Sequence, residues 1–345
     1  MSTSFFERVT ERGQQRLPAS LRDRDWLAFV LVAPGIVLFL SFMLFPIAFL
    51  IYLSFTDATH TGTVIGGEAN FIGFDNYISL FTDSQFWNSL GVTWLFLTVS
   101  VVAKIIVGIA IAMILTHARV RGKRYMRALV IVPLGFPEIF SITVWRGMFS
   151  SARFGPFNEI LSMYNSAVTS LVGVIDSVIF FAAVSAPEFL LADVPIAWFG
   201  SRWSTFASYV TTEVWLAYPF MVIIIVSALQ DVPKELHDAA KVDGAGYFHR
   251  FRHVTLPAIK RPTMFASILT AAASFQQFLV PWVFNRGGPA RDNELILVYG
   301  FREAIELNEY ALSSAIMVTA LAFVGMFMWL AVKKGDLADG VGNDD

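Results

Sequence analysis

The chain has 345 residues, 56% of them hydrophobic and only 15% charged, with a mean hydropathy of +0.61; soluble domains average about 45–50% apolar and 25% charged residues. That composition excludes an ordinary water-soluble domain, and a net charge of −2 argues against a nucleic-acid partner. The absence of cysteine excludes disulfides, thiolate metal sites, Fe–S clusters and cysteine catalysis; with five scattered histidines, neither a metal nor a cofactor is expected.

Residues 1–25 form a leader bearing Arg8, Arg12, Arg16, Arg22 and Arg24. Phe5, Phe6 and Val9 fall at helical spacing there, which predicts either a short surface helix or a disordered tail. A membrane helix needs about 20 largely apolar residues. Six runs qualify, at 27–55, 88–115, 128–149, 205–229, 263–284 and 310–332. They predict an all-α integral membrane domain over 26–332 with six transmembrane helices, followed by a tail at 333–345 that is acidic from Gly335 onward. The first run is too long for a signal peptide, whose apolar region spans about 7–15 residues. Pro34 and Pro46 inside it predict a kinked helix rather than two separate ones.

The Lys and Arg distribution sets the orientation. Eighteen lie in the leader, the 116–127 loop, the 230–262 loop and the tail, against five in the alternate loops (Arg153, Arg202, Arg286, Arg291 and Arg302). Both termini are therefore expected in the cytoplasm of a multi-pass cell-membrane protein. Residues 168–192 contain an apolar stretch, Val174 to Val184, interrupted by Asp176. A single crossing there would move the cation-rich 230–262 loop outside, so the stretch reads as a helix lying on or dipping into the outer face; a seventh span is the alternative.

The segment 230–262 reads as a helix–turn–helix facing the cytoplasm. Asp231 and Pro233 are start signals and Glu235 supplies first-turn acid. The helix is expected to stop near Asp243-Gly244, where glycine takes a left-handed position. A second helix is expected to run to about Val254 and end before Pro257. Ala239, Ala240, Ala245 and Gly246 leave little side-chain bulk, which permits close docking into a groove. An ordinary polar loop would not explain so long an insert between two spans.

Charges inside spans are expensive, about 2.5–3.5 kcal/mol each on insertion scales, so partners are expected. Counting about 1.5 Å per residue, Lys104 lies roughly 17 Å and Glu138 roughly 15 Å from the cytoplasmic side, while Arg146 and Glu213 lie about 24–27 Å from it. Matching depths predicts the pairs Lys104–Glu138 and Arg146–Glu213, either as structural pairs between helices or as polar lining of a pathway. A polyhydroxylated solute needs hydrogen-bonding groups and a flat apolar face. Trp215, Tyr218, Gln276, Gln277, Phe278 and Trp282 offer both, although helix packing and interface anchoring use the same residue types.

The cytoplasmic segment resembles the EAA loop of permease subunits of binding-protein-dependent ABC importers. That pattern is Glu-Ala-Ala, three residues, Gly, nine residues, Ile, any residue, Leu-Pro. The chain has Asp238-Ala239-Ala240, Gly244, Val254 and Leu256-Pro257 at the same spacings, with Asp for Glu and Val for Ile. Asp243-Gly244-Ala245 and Pro262 meet the wider form. The stretch Phe71-Ile72-Gly73-Phe74-Asp75-Asn76-Tyr77 is similar to a segment of the carbohydrate-uptake group, the maltose and glycerol-phosphate type. So are Pro195-Ile196-Ala197-Trp198, Trp215 with Pro219, and Gly287-Gly288-Pro289. The insert at 165–193 departs from that group's pattern.

The resemblance implies the MetI-like/MalF-like permease fold and the role of a first permease subunit. It implies three partners: an ABC ATPase dimer, a second permease subunit and an extracytoplasmic solute-binding protein. It also implies that Glu235 and Asp238 meet basic groups of the ATPase while Ala239, Ala240 and Gly244 allow close approach, with Asp243, Leu256 and Pro257 completing the motif. The chain has no Gly-x-x-x-x-Gly-Lys-Ser/Thr phosphate loop, so ATP-driven transport needs a separate motor. Such a subunit is not an enzyme; it moves a sugar or sugar-like solute by alternating access. The same machinery carrying a non-sugar solute is one alternative. A secondary transporter is another, with the Lys104–Glu138 pair as its only support. A membrane-embedded enzyme lacks any His-Glu-x-x-His or comparable constellation.

Overall fold

The computed structural model describes residues 25–59, 64, 66, 69–117, 119–152, 155–179 and 191–334. The leader up to residue 24, for which a short surface helix or a disordered tail is expected, the tail beyond 334 and residues 180–190 of the outer-face stretch lie outside the described residues. Among the described residues the fold is helical; extended pairing is confined to an isolated antiparallel bridge between Thr56 and Phe71.

Helix α1 (Asp25–Phe39) runs through a π turn (Leu40–Leu44) into α2 (Phe45–Leu53), so the first span is continuous despite its prolines. Pro46 falls in the first turn of α2, just after the π turn, where a missing N–H costs least. Of this span's apolar residues, Leu53 is buried while most of those from Val30 to Tyr52 are exposed, as expected for a surface facing lipid. A short amphipathic helix, α3 (Asp75–Thr82), leads into α4 (Ser84–Thr116), about 50 Å long. The Asp83 side chain caps α4 by accepting from Gln85 N at 2.9 Å.

The run at 128–149 is not one straight span. Helix α5 (Lys123–Ile131) ends in a 3₁₀ turn (Val132–Gly135), and α6 (Glu138–Met148) leaves it at 99°. Pro137 forces Phe136 into an extended conformation, φ −98° and ψ 139°, and this breaks the helix. Helix α7 (Pro156–Ile179) begins before the outer-face stretch expected at 168–192 and is not long and apolar enough to count as a span. Helix α8 (Arg202–Gln230) starts with Ser201 accepting from Ser204 N at 3.3 Å and keeps Pro219 buried inside it.

Helix α9 (Lys234–Val242) is followed by α10 (Tyr247–Arg250), which does not end before Pro257 as expected. It passes through a π turn (Phe251–Thr255) into α11 (Leu256–Phe275). Proline in the first turn of α11 does not break the rod, because the π turn shifts the hydrogen-bond register there: Leu256 N bonds Phe251 O, five residues back. Asp231, expected as a start signal, instead closes the end of α8. Helix α12 (Leu279–Asn285) departs from α11 by 41°, and α13 (Ile296–Ile305) and α14 (Tyr310–Lys334) complete the chain. Among the described residues four helices are long and apolar enough to cross a membrane, or up to six with each bent pair taken as one span.

The core is built by α4, α8 and α11. A Cβ at Gly108 on α4 would lie 2.6 Å from Met221 Cγ on α8, so glycine lets these two helices approach closely. One apolar cluster joins Val92, Phe96, Ile142, Phe149, Tyr209 and Phe284. A second, toward the α9 end, joins Ala112, Met221, Ile225 and Ile259. Lys104 lies on α4 between these levels.

Candidate functional site

Lys104 is fully buried and Glu213 nearly so, and an uncompensated charge at such a depth is not tolerated. Lys104 Nζ lies 2.5 Å from Glu213 Oε1 and donates to Ser274 Oγ at 2.8 Å. Ser274 in turn donates to the same Glu213 oxygen at 3.1 Å, and Gln277 Nε2 donates to Glu213 Oε2 at 2.7 Å. The three core helices are thus tied together by one satisfied polar network.

This pairing corrects both expected pairs. Lys104 meets Glu213 rather than Glu138, and Arg146 is exposed with no ion pair among the described residues. Depth counting along 128–149 fails because the chain turns through 99° immediately before Glu138. The long lysine side chain covers the remaining offset between Lys104 and Glu213.

Beside the network opens a cleft of about 450 Å³. Its walls come from both broken helices. Pro133, Phe136 and Glu138 stand at the α5–α6 break; Gln276, Gln277 and Phe278 stand at the α11–α12 break; Glu213 and Leu216 join them from α8. Gln277 is held on three sides. Its Nε2 also reaches Glu138 Oε1 at 3.2 Å, and its Oε1 accepts from Val280 N at 3.3 Å, capping α12. Gln276 is exposed in the cleft, and its amide makes no hydrogen bond among the described residues.

Phe278 offers a flat apolar face, stacked on Trp282 with ring centroids 5.4 Å apart. Of the six residues expected along a pathway, Gln276, Gln277 and Phe278 line the cleft. Trp282 lies behind Phe278, packed between Phe301 and the Arg286 guanidinium. Trp215 packs on Trp145, and Tyr218 is half-buried away from the cleft wall. Chemically, the cleft combines amide and carboxylate groups with the aromatic rings of Phe136 and Phe278, a combination suited to a polyhydroxylated solute.

At the basic end, α9 closes as the spacing predicts. Gly244 is left-handed with φ +78°. Gly244 N bonds Lys241 O at 3.0 Å and Ala245 N bonds Ala240 O at 2.9 Å, the two bonds of a Schellman cap. Glu235, Asp238, Ala239, Asp243 and Gly244 are exposed, and Ala240 is half-buried. Lys241 bonds Asp238 at 2.6 Å and holds its carboxyl below the usual carboxylate range. Leu256 and Pro257 sit apart from this helix, in the first turn of α11. Val242 is 89% exposed and Phe248 73%, so the knuckle presents apolar surface beside its charges.

Two features escape sequence reasoning. Ser274 completes the buried network from the last turn of α11, just before the break that carries Gln277. At the opposite end, the fully buried Glu294 accepts from Arg291 Nε at 2.7 Å and Gln85 Nε2 at 2.9 Å, and Arg302 Nε stands 2.8 Å away without hydrogen-bond alignment. Tyr299 donates to Asp83 at 2.6 Å nearby. Gln85 and Asp83 lie some 200 residues from Glu294 and Tyr299 in the chain, and no local pattern announces those two contacts.

Comparison with known proteins places these features in context. The family described as binding-protein-dependent transport system inner membrane component matches residues 104–334. The trehalose/maltose transport system permease protein MalF of Thermococcus litoralis is 29% identical over 320 residues, covering 92% of this chain and 97% of that protein. The sulfoquinovosyl glycerol transport system permease protein SmoG of Agrobacterium fabrum is 28% identical, covering 86% of each. The diacetylchitobiose uptake system permease protein DasB of Streptomyces coelicolor is 29% identical, covering 91% of this chain and 88% of that one. Among solved structures, a bacterial ABC transporter involved in the import of the acidic polysaccharide alginate superposes with a TM-score of 0.66 at 18% identity, over 90% of this chain and 96% of that chain. At that identity the likeness speaks for the fold alone.

Proposed function

Starting from the fact that the chain belongs to the family of binding-protein-dependent transport system inner membrane components, we propose that it lines the translocation pathway for a sugar or sugar-like solute. It is a membrane-embedded permease subunit and not an enzyme; ATP hydrolysis falls to a separate ATPase subunit. In our reading an ATPase dimer grips the α9 knuckle, a second permease completes the pore, and an extracytoplasmic binding protein delivers the solute. The observation that carries this reading is the Schellman-capped knuckle with its exposed small residues Ala239 and Gly244, set among apolar surface that a lone chain leaves uncovered.

Solute recognition is assigned to the cleft between the two helix breaks. Gln276 supplies a free amide, Gln277 and Glu138 supply fixed polar groups, and Phe278 supplies a surface for the apolar face of a sugar ring. Broken helices at a binding cavity are a recurrent device of membrane transporters, because irregular backbone is tolerated where it borders a cavity. The names of the relatives, which include trehalose/maltose and diacetylchitobiose systems, support a glycoside as solute.

The test is reconstitution of the chain with its co-purifying subunits in vesicles, energised with ATP on the knuckle side and offered labelled trehalose with binding protein. Uptake is expected to require ATP and to be lost in Gly244→Trp. That substitution puts bulk on the docking surface at a position where φ +78° already disfavours a side chain. Membrane insertion is expected to persist. Solute movement by the chain with no nucleotidase present would refute the reading.

A further inference from the structure

A second cleft, of about 500 Å³, lies beside α9, with Lys234 and His237 of that helix in its wall. It is lined by groups from four elements: His117 after α4, Lys123 and Arg127 on α5, Lys234 and His237 on α9, and Tyr247 at the start of α10. Among the described residues no carboxylate lines it. Asp231, Glu235 and Asp238 are not among its walls; Asp238 is paired with Lys241 at 2.6 Å and acts on Lys234 and His237 as a weaker influence.

Three observations converge on an anion. First, Lys123, Arg127 and Lys234 form no ion pair among the described residues, although they converge on one cavity. The hydrogen bond of Lys123 Nζ to Thr116 O at 3.3 Å fixes that ammonium without neutralising it. Second, Lys123 and Lys234 are the first residues of α5 and α9. A helix N-terminus already carries partial positive charge and unpaired N–H groups, so a lysine there is on the unfavourable end unless an anion sits between them. Third, Met113, Leu229 and Val232 give the cleft an apolar flank beside its cationic wall. Clustered Lys and Arg with tyrosine at a membrane edge suit a phosphate group attached to an apolar or sugar-like body.

We propose that this cleft binds a phosphate-bearing anion, held between Lys123 and Arg127 on one side and Lys234 on the other. The shared chemistry has two sources, the headgroup of an anionic lipid and a free phosphate compound on the knuckle side. Either would bridge α5 to α9, and so join the knuckle-side arm of a broken helix to the segment that faces the motor.

The test uses the full chain with its co-purifying subunits in a zwitterionic detergent. One arm adds phosphatidylglycerol, with phosphatidylcholine as control, and counts bound lipid by native mass spectrometry. The other titrates inorganic phosphate against chloride by calorimetry. Saturable binding of one ligand per chain is expected in at least one arm, and the arm that responds identifies the source. The Lys123→Gln/Lys234→Gln pair is expected to weaken it at least about tenfold, the scale of losing charge-assisted hydrogen bonds. The Lys123→Arg/Lys234→Arg pair, which keeps the charge, is expected to retain it and reports on folding. No preference for phosphatidylglycerol or phosphate over the controls would overturn the proposal, as would unchanged affinity in the glutamine pair. Protection of both lysines from acetylation by another subunit, in a phosphate-free sample containing only phosphatidylcholine, would overturn it as well.

Discussion

Lys104 and Glu213 form a buried ion pair. Removing one member of a buried pair leaves the other charged and dry, at a cost of about 3–5 kcal/mol, whereas removing both can be nearly neutral. Lys104→Met is therefore expected to lower the thermal midpoint of the purified protein sharply, and Lys104→Met/Glu213→Leu to restore most of it; additive losses in this cycle would argue against direct coupling. Glu303 presents the opposite case. Burial pushes its carboxyl up from the ordinary 4.5, only partly offset by Arg291 3.6 Å away. A raised value in the folded state means that folding favours the protonated form, so stability from this group grows as pH falls toward 4.5 and is lost as pH rises. Glu303→Gln is accordingly expected to raise the melting midpoint at pH 7–8, with the gain shrinking as the pH is lowered, a trend readable in a melting series. The sequence disclosed that Lys104 and Glu213 need partners, since charge inside an apolar run is costly whatever the fold. It did not disclose which partners, because that depends on how the helices tilt and bend.

At the scale of elements, the α9 knuckle was legible almost atom by atom, because a Schellman cap is a local event written in Gly244 and its neighbours. The break at Gly135–Pro137 was only half legible. Pro133 and Pro137 mark the sequence there as a place where a helix bends, but the 99° angle goes with what α6 packs against, notably α12 and α8. The continuation of α10 into α11 was missed because a π turn leaves no mark in the hydrophobic pattern. The close approach of α4 and α8 gives a test of the core. Gly108→Ala places a methyl 2.6 Å from Met221 Cγ and is expected to destabilise by about 1–3 kcal/mol through overpacking. Gly147→Ala, with nothing within 4 Å, is expected to be neutral or to stabilise by up to about 1 kcal/mol through helix propensity. Equal melting temperatures for the two variants would contradict the described packing.

For the whole molecule, the class was readable from composition and the family from a single loop, while the cleft was not. Its walls come from two helix breaks more than 100 residues apart, and only three of the six residues expected on it are there. The chain itself simplifies the topology test, since it contains no cysteine and single cysteines need no cleared background. Val242→Cys and Phe248→Cys are expected to react with an impermeant maleimide only from the cytoplasmic side, and Glu306→Cys only from the outside. The reverse pattern would invert the molecule. One further consequence follows from the unbroken stretch Tyr247–Phe275. At about 1.5 Å per residue it is a rod roughly 40 Å long, with Tyr247 beside the knuckle and Ser274 beside Gln277 at its far end. Pivoting such a rod by about 5° displaces its tip by about 3.5 Å, which exceeds the length of every hydrogen bond holding Lys104, Glu213, Ser274 and Gln277 together. A modest push at the base is thus expected to part Ser274 from Lys104 and Glu213 beside the cleft.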